Sequence, residues 1–333
     1  TLTNATETTW FGAFMMQFHH HPWNGLRFWD LIQPFFMFIV GVAMPFSYKS
    51  RLARGDSHSD IQNHIFYRCF LLFLFGTGLH CVYSHALVWE LWNVLTQLSF
   101  TILVAFFLMR SSWKLQLGVS AFLLILTEVL YRMYDPAAPF VKDANFGSYM
   151  DMILMGKIND GGGWVTINCI PTAAHTIWGV VCAQFLLSDH PAQKKLRYFI
   201  VAALIGLGSG YLLDLLHITP IIKRIATSSF TLASGGWALA VLALFYWWVD
   251  LRGNHRGVQF FSIVGMNSIF IYLFAETIGH QWLGGFTETF NHGFLGLIGL
   301  PDSVLDVTNA LLVWGIMWYL CYFLYKKKIF FKI

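Results

Sequence analysis

The residues best suited to chemistry lie near the start of the chain, in Phe18-His19-His20-His21-Pro22-Trp23-Asn24-Gly25-Leu26-Arg27-Phe28-Trp29-Asp30-Leu31. Histidine gives and takes protons near neutral pH, so a His beneath aromatics at the mouth of a helix bundle is a candidate general base. The same stretch also reads as an interfacial anchor, since Trp23 and Trp29 suit an aromatic belt. A metal site is not expected: adjacent histidines seldom converge on one ion, and no carboxylate is spaced to join them. Asp30 opens an apolar run, Leu31-Ile32-Gln33-Pro34-Phe35-Phe36. An ionisable residue there either faces a partner or a wet cavity, or caps a helix whose dipole favours it.

Three further segments carry polar groups inside or beside apolar runs. In Thr166-Ile167-Asn168-Cys169-Ile170-Pro171-Thr172, Asn168 offers a donor and an acceptor at membrane depth, and Pro171 is expected to kink the helix. Interhelical glue is the plainer role for such a group. Gly265-Met266-Asn267-Ser268-Ile269 is a second polar interruption. The tail, Tyr325-Lys326-Lys327-Lys328-Ile329-Phe330-Phe331-Lys332-Ile333, reads either as an anchor to anionic lipid or as a partner for phosphate.

What positions these groups follows from composition. Of 333 residues, 56% are hydrophobic and 11% charged, against about 25% charged in an ordinary soluble domain. That argues against a soluble enzyme, a disordered tail or a nucleic-acid binder. A helix needs about 20 mostly apolar residues to cross a bilayer. Nine segments qualify: 28–47, 65–84, 93–109, 115–133, 164–187, 197–216, 228–248, 258–277 and 306–325. They are too long and too evenly apolar for barrel strands. The fold class is therefore all-α, a polytopic transmembrane helix bundle, with residues 1–333 as a single domain. Cys69, Cys81, Cys169, Cys182 and Cys321 lie in apolar stretches and read as packing residues.

The basic residues sort by side. Fourteen of the 21 fall in one alternate set of loops and six in the other, with Arg68 inside a span. By the positive-inside rule the C-terminus is cytoplasmic, and residues 1–27, with His20, face the outside or lumen. The long loops 134–163 and 278–305 belong to the same outer side. No internal repeat supports an inverted-repeat transporter.

His20-x-x-Trp23-Asn24-Gly25-Leu26-x-x-x-Asp30-Leu31-x-x-Pro34-x-Phe36-x-Phe38-x-x-Gly41 resembles the heparan-α-glucosaminide N-acetyltransferase family of transmembrane acyltransferases. So do Thr166-Ile167-Asn168, on a helix running to Gly179, and the block from Ser228-Ser229-Phe230 through Asp250 to Gly265-Met266-Asn267-Ser268-Ile269. The tail Lys327-Lys328-Ile329-Phe330-x-Lys332-Ile333 is similar to that family's C-terminus. The resemblance implies an inner- or organelle-membrane enzyme, a bacterial-type member lacking a large luminal domain. Such an enzyme transfers acetyl from cytoplasmic acetyl-CoA to an amino sugar or glycan. It implies His20 as base or acetyl carrier, and Asp30 or Asn24 as the group orienting it. Asn168, Asn267 and Ser268 would line the donor channel, with Lys332 and Lys328 toward the CoA phosphates. A homodimer is implied, and neither a metal nor a nucleic acid is.

The family departs from this chain in three features. Its first helix, with an Asp-x-x-Arg-Gly motif, has no counterpart before Thr1, which implies a tenth span ahead of the residues read here. An Asn that the family carries shortly before the His is unmatched, with Thr9 near its spacing and Asn4 further off. Gln97 stands where some members carry Arg. A sugar transporter or permease, with the polar residues lining a substrate path, is the alternative class.

Overall fold

The computed structural model describes residues 10–331, without the side chains of Phe11, His280 and Ser303. Lys332, Thr9 and Asn4 thus lie outside the described residues. Among those described there is no strand. The α-helices are α1 (Trp10–Met16), α2 (Ile32–Ala53), α3 (His58–Ser84), α4 (Val94–Leu108), α5 (Trp113–Tyr134), α6 (Phe146–Met155), α7 (Cys169–Leu187), α8 (Ala192–Leu215), α9 (Ser228–Phe245), α10 (Val258–Gly265), α11 (Ser268–Phe274), α12 (Gly284–Gly296) and α13 (Asp302–Lys326).

The nine apolar segments all form helix, and seven of them are long and apolar enough to cross a bilayer unaided. A bent pair, Val258–Gly265 with Ser268–Gly296, whose arms meet at 71°, has the length and composition of either one broken span or a re-entrant loop. The remaining segment, α4, has 15 residues, roughly 22 Å at the helical rise, and falls short of a full hydrocarbon core. Side-chain caps set several helix starts. Asn93 accepts the Leu95 N–H at 2.9 Å, Ser112 that of Leu115, and Thr227 that of Phe230, replacing donors that a helix start leaves free. Pro171 does not kink α7. A 3-10 turn, Thr166–Asn168, comes first, so Pro171 sits in the first turn of the α-helix, where its missing N–H has no partner to lose.

The chain forms two compact units, one of Phe14–His80 with Leu87–Gly253, the other built on Cys81–Ala86 and the chain from Asn254 onward. In the first, α2 and α7 cross at Gly41 and Gly179. A Cβ on Gly41 would strike the Thr176 carbonyl, and one on Gly179 the Phe38 carbonyl. Small residues bring backbones together where lipid supplies no hydrophobic drive. Around this crossing Phe38, Val42, Ala183, Phe199 and Leu239 form a core shared by α2, α7, α8 and α9. In the second unit, Asn267 occupies the break between α10 and α11. Its buried amide donates to the Ile329 carbonyl at 3.2 Å and accepts the Phe331 N–H at 2.9 Å, while Phe270 stacks on Phe331 at 4.6 Å.

Candidate active site

Three loops of the first unit meet at His20: the stretch ahead of α2, the connection from α5 to α7, and the short loop between α8 and α9. Apolar packing holds each of them. Trp23 packs against a buried cluster that includes Tyr131, Val165, Ile222 and Ile225, and Leu26 against one that includes Ile221 and Phe230. Backbone bonds add register: Gly25 N–H donates to the Ile221 carbonyl at 2.8 Å, and the Trp23 indole to the Phe140 carbonyl at 3.0 Å. Gly25 has φ +147°, and the His21 ring lies where a Cβ would go, 2.5 Å from it. Only glycine lets the loop turn tightly enough to lay His21 against it.

At the centre His20 Nδ1 lies 2.9 Å from Asp30 Oδ1 and 3.1 Å from Lys223 Nζ, while Lys223 Nζ lies 3.6 Å from Asp30 Oδ1. Asp30 is 1% exposed, Lys223 7% and His20 40%. Asp30 sits in a 3-10 turn, Phe28–Leu31, ahead of α2. Its second oxygen accepts the backbone N–H of Arg27 at 3.0 Å and of His21 at 3.2 Å. It is thus both a cap and the partner of an imidazole. His20 is braced from outside as well, since the Arg27 guanidinium donates to its carbonyl at 3.0 Å. Trp164 stands edge-on to the His20 ring at 6.0 Å and lies under the Lys223 ammonium at 5.2 Å, a distance at which the ring face attracts a cation. His20 Nε2 makes no hydrogen bond among the described residues and is the ring nitrogen left for a substrate.

The electrostatics follow from burial. Desolvation pushes the Lys223 amine down to about 8 against the opposing pull of Asp30, and Arg224 lowers it further. His21 is held below its usual value chiefly by burial, then by the Arg27 charge. Further polar contacts tie the loop ahead of α4 to α6 and to the connection that follows it. Glu90 meets Lys157 at 2.6 Å and His80 at 2.6 Å, and Asp151 accepts the Trp92 indole at 2.7 Å and the Thr166 N–H at 2.9 Å. Among the described residues no group of His, Cys, Asp and Glu is arranged to hold a metal ion.

Of the residues singled out in the sequence, His20 and Asp30 come together. Asn24 is exposed and makes no hydrogen bond among the described residues, so of the two candidates it is Asp30 that stands against the imidazole. Asn168 is 1% exposed and donates to the Arg224 carbonyl at 3.2 Å, which secures the loop carrying Lys223. Asn267, Ser268 and Lys328 belong to the second unit; Ser268 and Lys328 are exposed there. Sequence reasoning missed Lys223, Arg224 and Trp164, counting the two cations only as loop charge. A signal was present: Thr219-Pro220-Ile221-Ile222-Lys223-Arg224-Ile225-Ala226 is an apolar loop enclosing two cations, a pattern ill-suited to a solvated connection.

No protein-family model matches the chain. Over 97% of its length the chain is similar to heparan-alpha-glucosaminide N-acetyltransferase of Mus musculus, 25% identical over 390 residues. It is likewise 25% identical over 393 residues to the Homo sapiens protein of that name. The chain spans 57% of the length of each of these relatives. The similarity supports a relation to that family. The residues that carry the motif resemblance at the N-terminal end include His20 and Asp30, the exposed imidazole and the buried carboxylate that meet at 2.9 Å.

Proposed function

We propose that the chain is a membrane acetyltransferase that moves an acetyl group from acetyl-CoA to the amine of an amino sugar or related glycan. The observation that carries this reading is the His20–Asp30 pair, in which a buried carboxylate sits at one imidazole nitrogen and leaves the other free. The similarity to proteins named as N-acetyltransferases supports the reaction class. In the proposed step, Nε2 takes a proton from the acceptor amine as its nitrogen attacks the thioester carbonyl. The C–N bond forms, the C–S bond breaks, and the thiolate leaving group takes the proton back from the imidazolium. The same nitrogen is suited to carrying the acetyl group itself before the acceptor arrives.

The donor would approach from the cytoplasmic side, with Lys328 and Lys332 toward the CoA phosphates and Asn267 and Ser268 beside them. The acceptor would meet His20 from the lumen or periplasm. Supporting this polarity, the three loops that converge on His20 all belong to the set poor in basic residues. The test is transfer of labelled acetyl from acetyl-CoA to glucosamine by the full chain in lipid nanodiscs. Transfer by the wild type and its loss by at least a hundredfold in His20→Gln is the expected result, a loss within the about 10²–10⁴ range of a general base. Full transfer by His20→Gln would overturn the assignment. Uptake of free sugar by vesicles without acetyl-CoA would favour a permease.

A further inference from the structure

The His20 ring poses a proton-counting problem at one atom. Nδ1 has two neighbours, Asp30 Oδ1 at 2.9 Å and Lys223 Nζ at 3.1 Å. A neutral imidazole carries one proton, so Nδ1 either donates to the carboxylate or accepts from the ammonium, never both. With Lys223 charged, its ammonium reaches both Nδ1 at 3.1 Å and Asp30 Oδ1 at 3.6 Å, which offsets the repulsion between their facing lone pairs and opposes a proton on Nδ1. The compatible form then carries its proton on Nε2. With Lys223 neutral, nothing opposes an Nδ1–H donating to Asp30, and Nε2 presents its lone pair outward.

We propose that Lys223 is a positioning residue that sets the tautomer of His20, holding Nε2 protonated while its ammonium is charged and freeing the Nε2 lone pair once it is neutral. The tautomer argument stands on geometry; its consequence for rate rests on the acyl-transfer reading above. Among the described residues, charged and aromatic groups face this pair from four sides. Asp30 faces it from the turn before α2, Arg27 and His21 from the preceding loop, Trp164 from the α6–α7 connection, and Arg224 from its own loop. Lys142 and Asp143 lie further out, where the Asp143 charge reaches Arg224 and Lys142 donates to the Gly161 carbonyl at 2.6 Å. His21 is held below its usual value by burial, so Lys223, pushed down to about 8, is the member that changes charge just above neutrality. Its value of about 8 means that about a tenth of the molecules hold it neutral at pH 7. The sign follows: the reactive tautomer, and the transfer rate, rise with pH through about 8, by about tenfold from pH 7 to the plateau.

The experiment reads the tautomer directly. The full chain, labelled with ¹⁵N-histidine, is placed in nanodiscs, and the His20 ring nitrogens are assigned by their loss in His20→Gln. The expected wild-type result is Nε2–H at about pH 7 and Nδ1–H at about pH 9.5, either side of the Lys223 value. Lys223→Met should show Nδ1–H at both pH values, and Lys223→Arg, which keeps its charge, Nε2–H at both. Acetyl transfer by Lys223→Met should lose the alkaline rise. Wild-type Nδ1–H at neutral pH, or the same tautomer in wild type and Lys223→Met, would overturn the inference. Should Lys223→Met fail to fold, the wild-type pH series and Lys223→Arg decide the matter alone. If the tautomer switches as described but no amine is acetylated, the acyl-transfer reading falls and the tautomer control stands.

Discussion

Asp30→Asn separates the chemistry of the site from its architecture, because the structure bounds what the change does to each. Asp30 accepts from the backbones of Arg27 and His21 on one oxygen and faces His20 and Lys223 with the other. Stranding a buried ammonium costs about 3–5 kcal/mol if it is forced to stay charged. Lys223 is not forced, since its amine lies at about 8. Shedding the proton at pH 7 costs on the order of 1–2 kcal/mol, and the lost ion pair costs about that much. Weaker bonds from the two backbone N–H groups add about 1 kcal/mol. A total near 2–3 kcal/mol leaves the chain folded, with its melting temperature lower by a few degrees.

The chemistry is hit harder. To keep both backbone N–H bonds, the amide must turn its oxygen toward Arg27 and His21, and its NH₂ then faces Nδ1. An NH₂ donates, so His20 is driven to the Nε2–H form and loses its base. Labelled-acetyl transfer in nanodiscs should fall by about 10²–10⁴, while tryptophan-fluorescence melting records the small stability change. Transfer within threefold of wild type would refute the reasoning. So would a collapse of the fold in Asp30→Asn that Asp30→Glu repairs without restoring transfer, because the carboxylate would then be acting through architecture alone.

Two other outcomes follow from the packing and from the Glu90 contacts. Gly179→Leu drives a side chain into the α2 backbone at the Phe38 carbonyl, and overpacking at so close a crossing should destabilise by about 1–3 kcal/mol or more; an unchanged melting temperature in nanodiscs would count against the crossing. Glu90 is held below the usual carboxylate range by Lys157 and His80, which outweigh its desolvation, so its contribution to stability is present above its ordinary value of about 4.5 and is lost as pH falls through the lower folded one. Glu90→Gln should therefore flatten the acid limb of the melting-temperature profile while leaving stability near pH 7 lower than wild type, and matching acid limbs would sink that assignment.

The fold and half of the site were legible in the residues themselves. Long apolar runs define helices because a backbone in lipid has no other way to pair its polar groups, and all nine runs form helix. His20 and Asp30 stand ten residues apart in one segment, so a local motif carries both. What the runs did not reveal was how they end: Asn267 breaks a span because its amide holds the tail backbone, and Pro171 escapes kinking because a 3-10 turn precedes it. The Asn267 contacts reach 62 and 64 residues along the chain, and the turn before Pro171 is set by Asp151, which accepts the Thr166 N–H from 15 residues away.

The sequence alone determined that lipid is the main solvent, that helices must fill it, and that a histidine with a nearby carboxylate stands where a helix begins. Only the tertiary structure decided that Lys223, 203 residues from His20, shares its ring nitrogen, and that Asn24 does not. Sequence spacing measures distance along a helix or strand, whereas a loop is aimed by what packs beneath it. Here Ile221, Ile222 and Ile225 are buried under Leu26 and Trp23, and burying them turns Lys223 inward to Asp30.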